Sequence, residues 1–264
     1  MEPRDIELAA LAADRLSVAR RMITRLHTLG DAAPRDLASA HRIADLHATQ
    51  LGWGIAGWKV GCTSDEAMQI LNSPGPFAGR VFERSVLRSG KLDHRAMVAP
   101  GVECEFAFLL GDDLPPTNHQ YTFDELRSAT IAVAPAIELV DSRFEEWTEV
   151  GYLSLIADSG ANGGAIIGEP VPIDACPPLA SVRVQCEIDD ALVAEGDGTK
   201  ILGDPWQALE WLANHLSARG IGLHAGQFVL SGTCTGIAPL APGASAVATF
   251  SDLGQVAVRR NSPV

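Results

Sequence analysis

Two glutamates, Glu103 and Glu105, lie in the run Gly101-Val-Glu-Cys-Glu-Phe-Ala-Phe-Leu-Leu110. The run alternates, with Val102, Cys104, Phe106, Phe108 and Leu110 on one side and Glu103, Glu105 and Ala107 on the other, which is the period of a β-strand. At a rise of roughly 3.3 Å per residue the two carboxylates share one face with Cα atoms about 6.5 to 7 Å apart. Two anions so placed invite a shared cation. An isolated Glu-x-Glu is more often the polar face of a half-exposed strand, so the pair needs corroboration from elsewhere in the chain.

Corroboration comes from Ile131-Ala-Val-Ala-Pro-Ala-Ile-Glu-Leu-Val140, in which Glu138 is the only charge in a segment that reads as a buried strand. A buried, unpaired carboxylate is costly or becomes protonated, so Glu138 requires a partner. An ion pair with nearby Arg143 would serve. So would a cation bridging Glu138 to the Glu103/Glu105 face, and an all-carboxylate set without histidine points to hard, oxygen-preferring Mg²⁺ or Mn²⁺. Lys59, in Gly57-Trp-Lys-Val-Gly61, is one of three lysines and sits between large apolar neighbours. Its ordinary fate is to snorkel to solvent; its functional reading is an ammonium that holds a substrate carboxylate or moves a proton.

Two glycine-bearing segments allow close backbone approach to a ligand: Ala157-Asp-Ser-Gly-Ala-Asn-Gly-Gly164 and Ser231-Gly-Thr-Cys-Thr-Gly236. Neither is a P-loop or a dinucleotide fingerprint, and no G-x-S-x-G elbow occurs, so nucleotide binding and acyl-enzyme chemistry are not signalled. The seven histidines show no metal-binding spacing and read as surface or structural residues. The five cysteines are dispersed without a C-x-x-C pair, which speaks against a disulfide framework or a zinc site. A formal charge of −13 over 264 residues gives no footprint for nucleic acid or an anionic membrane. The acidic, arginine-laced start is unlike a signal peptide and no apolar run is long enough to span a bilayer, so the expected location is the cytoplasm.

The elements that must position these residues follow from periodicity and punctuation. Helical spacing runs from Ile6 to Leu29, with Gly30 as its stop, and a second helix opens at Pro34 to Asp36 and stops at Gly52. From there the texture is strand-like, at 55–60, 102–110, 131–140, 165–167, 182–188, 228–231, 246–250 and 255–259. One helix interrupts it at Pro205 to Arg219, with Asp204 as N-cap and Gly220 past its end. Phe77 to Arg80 and Asp112 to Asn118 read as loops. Strands broken by one long helix, without βαβ alternation, predict an α+β fold: a helical portion over 1–52 and a β-rich catalytic portion over 53–264, forming one continuous unit.

Taken in order, Gly57-Trp-Lys-Val-Gly-Cys-Thr-Ser64, Glu103-Cys-Glu105, Glu138-Leu-Val-Asp-Ser-Arg143, Ile156-Ala-Asp158, Leu202-Gly-Asp-Pro205, Trp211-Leu-Ala213, and Ala225-Gly226 with the Ser231-Gly232 strand end resemble the fumarylacetoacetate hydrolase superfamily. Within it they are similar to the 2-keto-4-pentenoate hydratase and 4-oxalocrotonate decarboxylase branch. The resemblance covers nearly the whole chain. It implies a mixed β-sandwich roll behind an N-terminal helical portion, Mg²⁺ or Mn²⁺ on Glu103, Glu105 and Glu138, Lys59 as a catalytic residue, and a homo-oligomer. It further implies that Asp158, Ser159, Asn162, Ser231 and Thr233 contact a small 2-oxo or 2-hydroxydienoic acid. The reaction class implied is a metal-dependent lyase, either hydratase or decarboxylase. An acylpyruvate-type carbon-carbon hydrolase, with His41 or His47 as base for its water, and a non-catalytic binding protein that keeps the fold are the alternatives. Two departures bear on reaction type: Pro74-Gly-Pro-Phe-Ala-Gly79 lacks the acid that hydratases of the branch carry before the glycine, and their Ala-Asp-Asn-Ala-Ser stretch reads Ala157-Asp-Ser-Gly-Ala161 here.

Overall fold

In a computed structural model that describes residues 3–88 and 90–263, the chain opens with two packed helices, α1 (Pro3–Met22) and α2 (Leu37–Leu51). Asp36 caps α2 by accepting from Ser39 N, and Gly52, at φ 64°, closes it in the left-handed conformation, where the sequence places both signals. The first helix is shorter than its periodicity suggests. It ends at Met22; Ile23 adopts φ 53°, and Leu26 instead forms a parallel bridge with Phe144, with Leu26 N donating to Arg143 O at 2.7 Å. Ile23 and Leu26 preserve helical spacing, but tertiary pairing decides their conformation.

The remaining chain forms β1 (Ile55–Gly61), α3 (Asp65–Ile70), β2 (Phe77–Phe82), β3 (Lys91–Leu92), β4 (Gly101–Leu110), α4 (Phe123–Ala129) and β5 (Thr130–Val140). There follow α5 (Tyr152–Ala157), β6 (Asn162–Ile167), β7 (Val171–Pro172), β8 (Arg183–Ile188), β9 (Ala191–Asp197), α6 (Pro205–Ala218), β10 (Phe228–Thr233), β11 (Ala238–Pro239), β12 (Ser245–Phe250) and β13 (Gly254–Arg260). The segment from Phe77, expected as a loop, is a fully buried strand antiparallel to β1, and β9 completes a hairpin with β8 that the sequence reading leaves out.

Eight strands form one mixed sheet in the order β2-β1-β10-β4-β5-β6, with β11 paired to β4 and β7 to β5, and five form a second in the order β3-β13-β12-β8-β9. Between them lies the main core. Phe106 of β4 meets Phe250 of β12 edge to face at 5.2 Å, and Phe108 packs on Trp206 of α6. The odd-numbered residues of β4 therefore point away from this core, toward the side closed by α2, α5 and the turn after α5. The expected α+β roll with helices in front is what the chain adopts. No helix among the described residues is long and apolar enough to cross a membrane.

Candidate metal centre

Register brings the three glutamates together. On neighbouring antiparallel strands β4 and β5, Glu103 faces Glu138 directly and Glu105 faces Ala136. Directly opposed residues on one face have Cβ atoms about 4.5–5.5 Å apart, and a slip of one residue would turn Glu138 into the core. One carboxylate oxygen from each of Glu103, Glu105 and Glu138 lies within 4.8 Å of the others. Glu105 and Glu138 are fully buried and Glu103 is partly exposed at the mouth.

Each buried carboxylate has one oxygen held by protein and one without a donor. Gly232 N donates to Glu105 Oε2 at 2.8 Å, and Asn162 Nδ2 donates to Glu138 Oε1 at 2.8 Å, while Glu105 Oε1 and Glu138 Oε2 accept no hydrogen bond. Burial, and after it the charge of Glu138, pushes the Glu103 carboxyl up to about 7; burial with Glu138 and Glu103 pushes Glu105 well above the carboxylate range. Without a cation, Glu103 and Glu105 hold protons above the ordinary carboxylate range. A divalent cation would replace them, and the donor set, all carboxylate oxygen, fits Mg²⁺ or Mn²⁺.

Lys59 supplies the nearest positive charge. It projects from β1 on the same side of the sheet, and its Nζ lies 3.4 Å from Glu138 Oε2 with the side chain buried. The path is open because its neighbours are glycines: a Cβ on Gly61 would stand 2.9 Å from Nζ, and one on Gly160 2.8 Å from Cε. Burial lowers the Lys59 pKa, but Glu138, Glu103 and Glu105 outweigh it and leave the pKa raised, so the side chain is an ammonium. The Phe77 ring, 5.7 Å from Nζ, forms an apolar wall beside the ammonium.

The turn after α5 packs beside Phe77 against the Lys59 stem, where a Cβ on Gly160 would stand 3.4 Å from the Phe77 ring. Ser159, Gly160 and Ala161 have φ of 56°, 67° and 61°, and the two non-glycine residues hold this conformation at a cost on the order of 1 kcal/mol each. The turn is pressed onto β2, where a Cβ on Gly79 would come 2.1 Å from Ser159 O. Ser159 Oγ and Asn162 Oδ1 are buried without hydrogen-bond partners.

The other expected contact residues have partners within the protein. Asp158 Oδ2 accepts from Ser142 Oγ and Arg143 N, both at 2.9 Å, and Oδ1 lies 2.9 Å from Arg143 Nε and 4.0 Å from Arg20 Nη2. Ser231 Oγ accepts from Phe106 N and donates to Gly232 O, while Thr233 Oγ1, at the rim, donates to Gly236 O and accepts from Thr235 N. Arg143 thus pairs with Asp158, and Glu138 with Lys59. Sequence reasoning does not foresee Gly232 N as the donor to Glu105, Phe77 as a wall, or Arg20, which donates to Asn162 O at 2.8 Å. A signal for Arg20 exists: it continues the buried Ala9, Ala13, Leu16 series of α1, an arginine on an otherwise apolar stripe.

Of the two histidines weighed as a base, His47 is buried, its Nδ1 3.3 Å from Ala157 O, and burial pushes its pKa well below the usual histidine value. His41 lies against His215, with ring centroids 5.1 Å apart. Neither hydrogen-bonds to the glutamates or to Lys59.

The chain is similar to known proteins of one family. The model of the fumarylacetoacetate (FAA) hydrolase C-terminal family matches residues 83–259. A 2-hydroxyhexa-2,4-dienoate hydratase of Comamonas testosteroni is 32% identical over 239 residues, covering 88% of each chain. A 4-oxalocrotonate decarboxylase of Pseudomonas sp. (strain CF600) is 30% identical, covering 78% of this chain and 77% of the relative. Among solved structures, the 4-oxalocrotonate decarboxylase of Pseudomonas putida G7, complexed with magnesium and adipate, superposes with a TM-score of 0.89 at 24% identity over 98% of this chain and 99% of its own, and so shares the fold.

Proposed function

Since this chain belongs to the fumarylacetoacetate hydrolase family, we propose that it is a lyase, a hydratase or a decarboxylase, acting on a small 2-hydroxy-2,4-dienoic or 2-oxo acid with Mg²⁺ or Mn²⁺ on Glu103, Glu105 and Glu138. The observation that carries the reading is the three-carboxylate cluster with two unsatisfied buried oxygens beside a buried ammonium. When bound, the divalent ion supplies Lewis acidity toward the carboxylate and 2-oxygen of such a substrate.

The chain's own groups do the rest. Lys59 presents a fixed positive charge to an anionic substrate and opposes charge that develops as the substrate's bonding electrons shift toward its 2-oxygen. Ser159 Oγ and Asn162 Oδ1, the buried polar atoms left unpaired in the turn, are the groups available to orient substrate. Phe77 and the sheet exclude water from the ammonium's other side. Asp158 acts at one remove: by binding Ser142 and Arg143 it anchors the strained turn that carries Ser159 and Asn162. Ser231 likewise fixes Gly232, and through it Glu105.

Glu105→Gln tests the reading. The variant should fold and lose metal-dependent turnover of 2-hydroxydienoate and oxalocrotonate substrates; full turnover by the variant with excess chelator would refute it. Product analysis of the wild type separates the reactions: gain of water marks a hydratase, release of CO₂ a decarboxylase, and a second carboxylic acid the hydrolase alternative.

A further inference from the structure

A cavity of about 430 Å³ lies on the far side of Asn162 from the metal centre. The end of α1, the corner formed by Trp53 and Arg84, the 96–98 segment and residues 141–143 line it; Lys59 and the three glutamates do not. Four of its lining residues are arginines, Arg20, Arg21, Arg84 and Arg143, and its one acid is Asp141. In a chain with 33 acidic and 20 basic residues this is a local inversion of charge.

The acid does not balance the arginines. Asp141 is taken up by Arg25 Nη2 at 2.9 Å and by the backbone N–H groups of Ala99 and Val98 at 3.0 and 3.2 Å. Arg143 and Arg20, both buried, share the single carboxylate of Asp158, and Arg20 is at 4.0 Å from it with Nε enclosed and unpaired. Asp141 also attracts Arg20, so three guanidiniums, Arg20, Arg25 and Arg143, stand against two carboxylates, an excess of positive charge that is unfavourable in a low-dielectric site. Arg21 donates to the carbonyls of Gln50 and Leu51, and Arg84 lies over the Trp53 ring at 5.0 Å; neither has an acidic partner among the described residues.

We propose that this cavity is a second ligand site that binds a compact oxyanion, the carboxylate or phosphate group of a small metabolite. Its volume lies in the range of small-molecule sites, and guanidinium forks match carboxylate and phosphate oxygens in bidentate fashion. The site is separate from the proposed lyase centre and stands whether or not that centre has the activity proposed for it. It adjoins that centre through one residue: Arg20 and Arg143 both donate to Asn162 O, and Asn162 Nδ2 holds Glu138.

Trp53 reports on occupancy. The full chain, free of divalent metal and at constant ionic strength, is titrated with inorganic phosphate and separately with succinate, followed by tryptophan fluorescence and calorimetry. Saturable binding of one anion per chain is expected, and the tighter of the two probes identifies the source of the oxyanion. Arg84→Ala combined with Arg21→Ala, at exposed positions, should weaken it about tenfold or more, the scale of a lost charge-assisted hydrogen bond. Trp53→Phe should remove the optical signal and keep the calorimetric one, and Glu105→Gln should leave the affinity unchanged. The proposal is overturned if neither anion saturates, if the double variant binds as well as wild type, or if Glu105→Gln abolishes binding. A double variant whose only change is its mass by light scattering would overturn it too, assigning the arginines to contact with a second copy.

Discussion

Two sets of buried acids stand on either side of Asn162 and differ in one respect. Asp158 and Asp141 are as enclosed as Glu105 and Glu138, yet guanidinium groups, backbone N–H groups and a serine hydroxyl surround them. Glu105 and Glu138 have one neutral donor each, crowd a third carboxylate, and share one ammonium. Burial is therefore not what separates an architectural acid from a functional one; the donor count is. A buried carboxylate faced by guanidiniums and several donors holds the chain in place, whereas one that faces other carboxylates with a single neutral donor keeps room for a ligand.

Opposite responses to mutation would sharpen that contrast. Arg143→Met removes the 2.9 Å guanidinium partner of buried Asp158, which keeps Ser142, the backbone N–H and the more distant Arg20, and should cost about 3 kcal/mol in urea unfolding, the upper end for a lost charge-assisted hydrogen bond. Glu105→Gln, which replaces a carboxyl that holds its proton in the metal-free chain with a neutral amide, should leave metal-free stability unchanged or raised; equal destabilisation by the two substitutions would break the comparison. Added Mg²⁺ or Mn²⁺ should stabilise wild type by about 2.7 kcal/mol at a hundred times its dissociation constant, and Glu105→Gln by far less, read from the same unfolding curves. A smaller effect belongs to the bridge: Asn162→Ala should weaken Mn²⁺ binding about tenfold, as loss of a group that orients a ligand does, without loss of fold by circular dichroism.

A last effect is a slope in pH. Glu103 binds its proton more tightly folded, at about 7, than its ordinary value of 4.5, so between those limits the folded state holds more protons than the unfolded one. Metal-free stability should therefore fall as pH rises from about 4.5 to 7, and metal affinity should rise over the same interval, because the ion displaces the proton. Melting curves in chelator across that range, set against curves with Mg²⁺, check the sign; a rise in metal-free stability specific to Glu103, lost in Glu103→Gln, would reverse it.

Much of the centre is legible in the residues. The alternation from Gly101 to Leu110 places Glu103 and Glu105 on one face, and the lone charge in Ile131–Val140 marks Glu138 as needing a partner; register then opposes Glu103 to Glu138. Caps at Asp36, Gly52 and Asp204 act where expected. What stays hidden depends on distant contacts. The end of α1 is set by pairing with Phe144, and the strand from Phe77 by pairing with β1 despite the Pro and Gly before it. The assignment of Arg143 to Asp158 and of Lys59 to Glu138 follows from the turn after α5, whose left-handed Ser159 and Ala161 have no marker in residue type.

The central claim is that Glu103, Glu105 and Glu138 hold one divalent ion. Calorimetric titration of the metal-free chain with Mn²⁺ at pH 7.5 should give one ion per chain, with binding lost in Glu105→Gln while the circular dichroism spectrum is unchanged. Binding of Mn²⁺ by Glu105→Gln with the stoichiometry and affinity of wild type, or no binding by wild type, would contradict it.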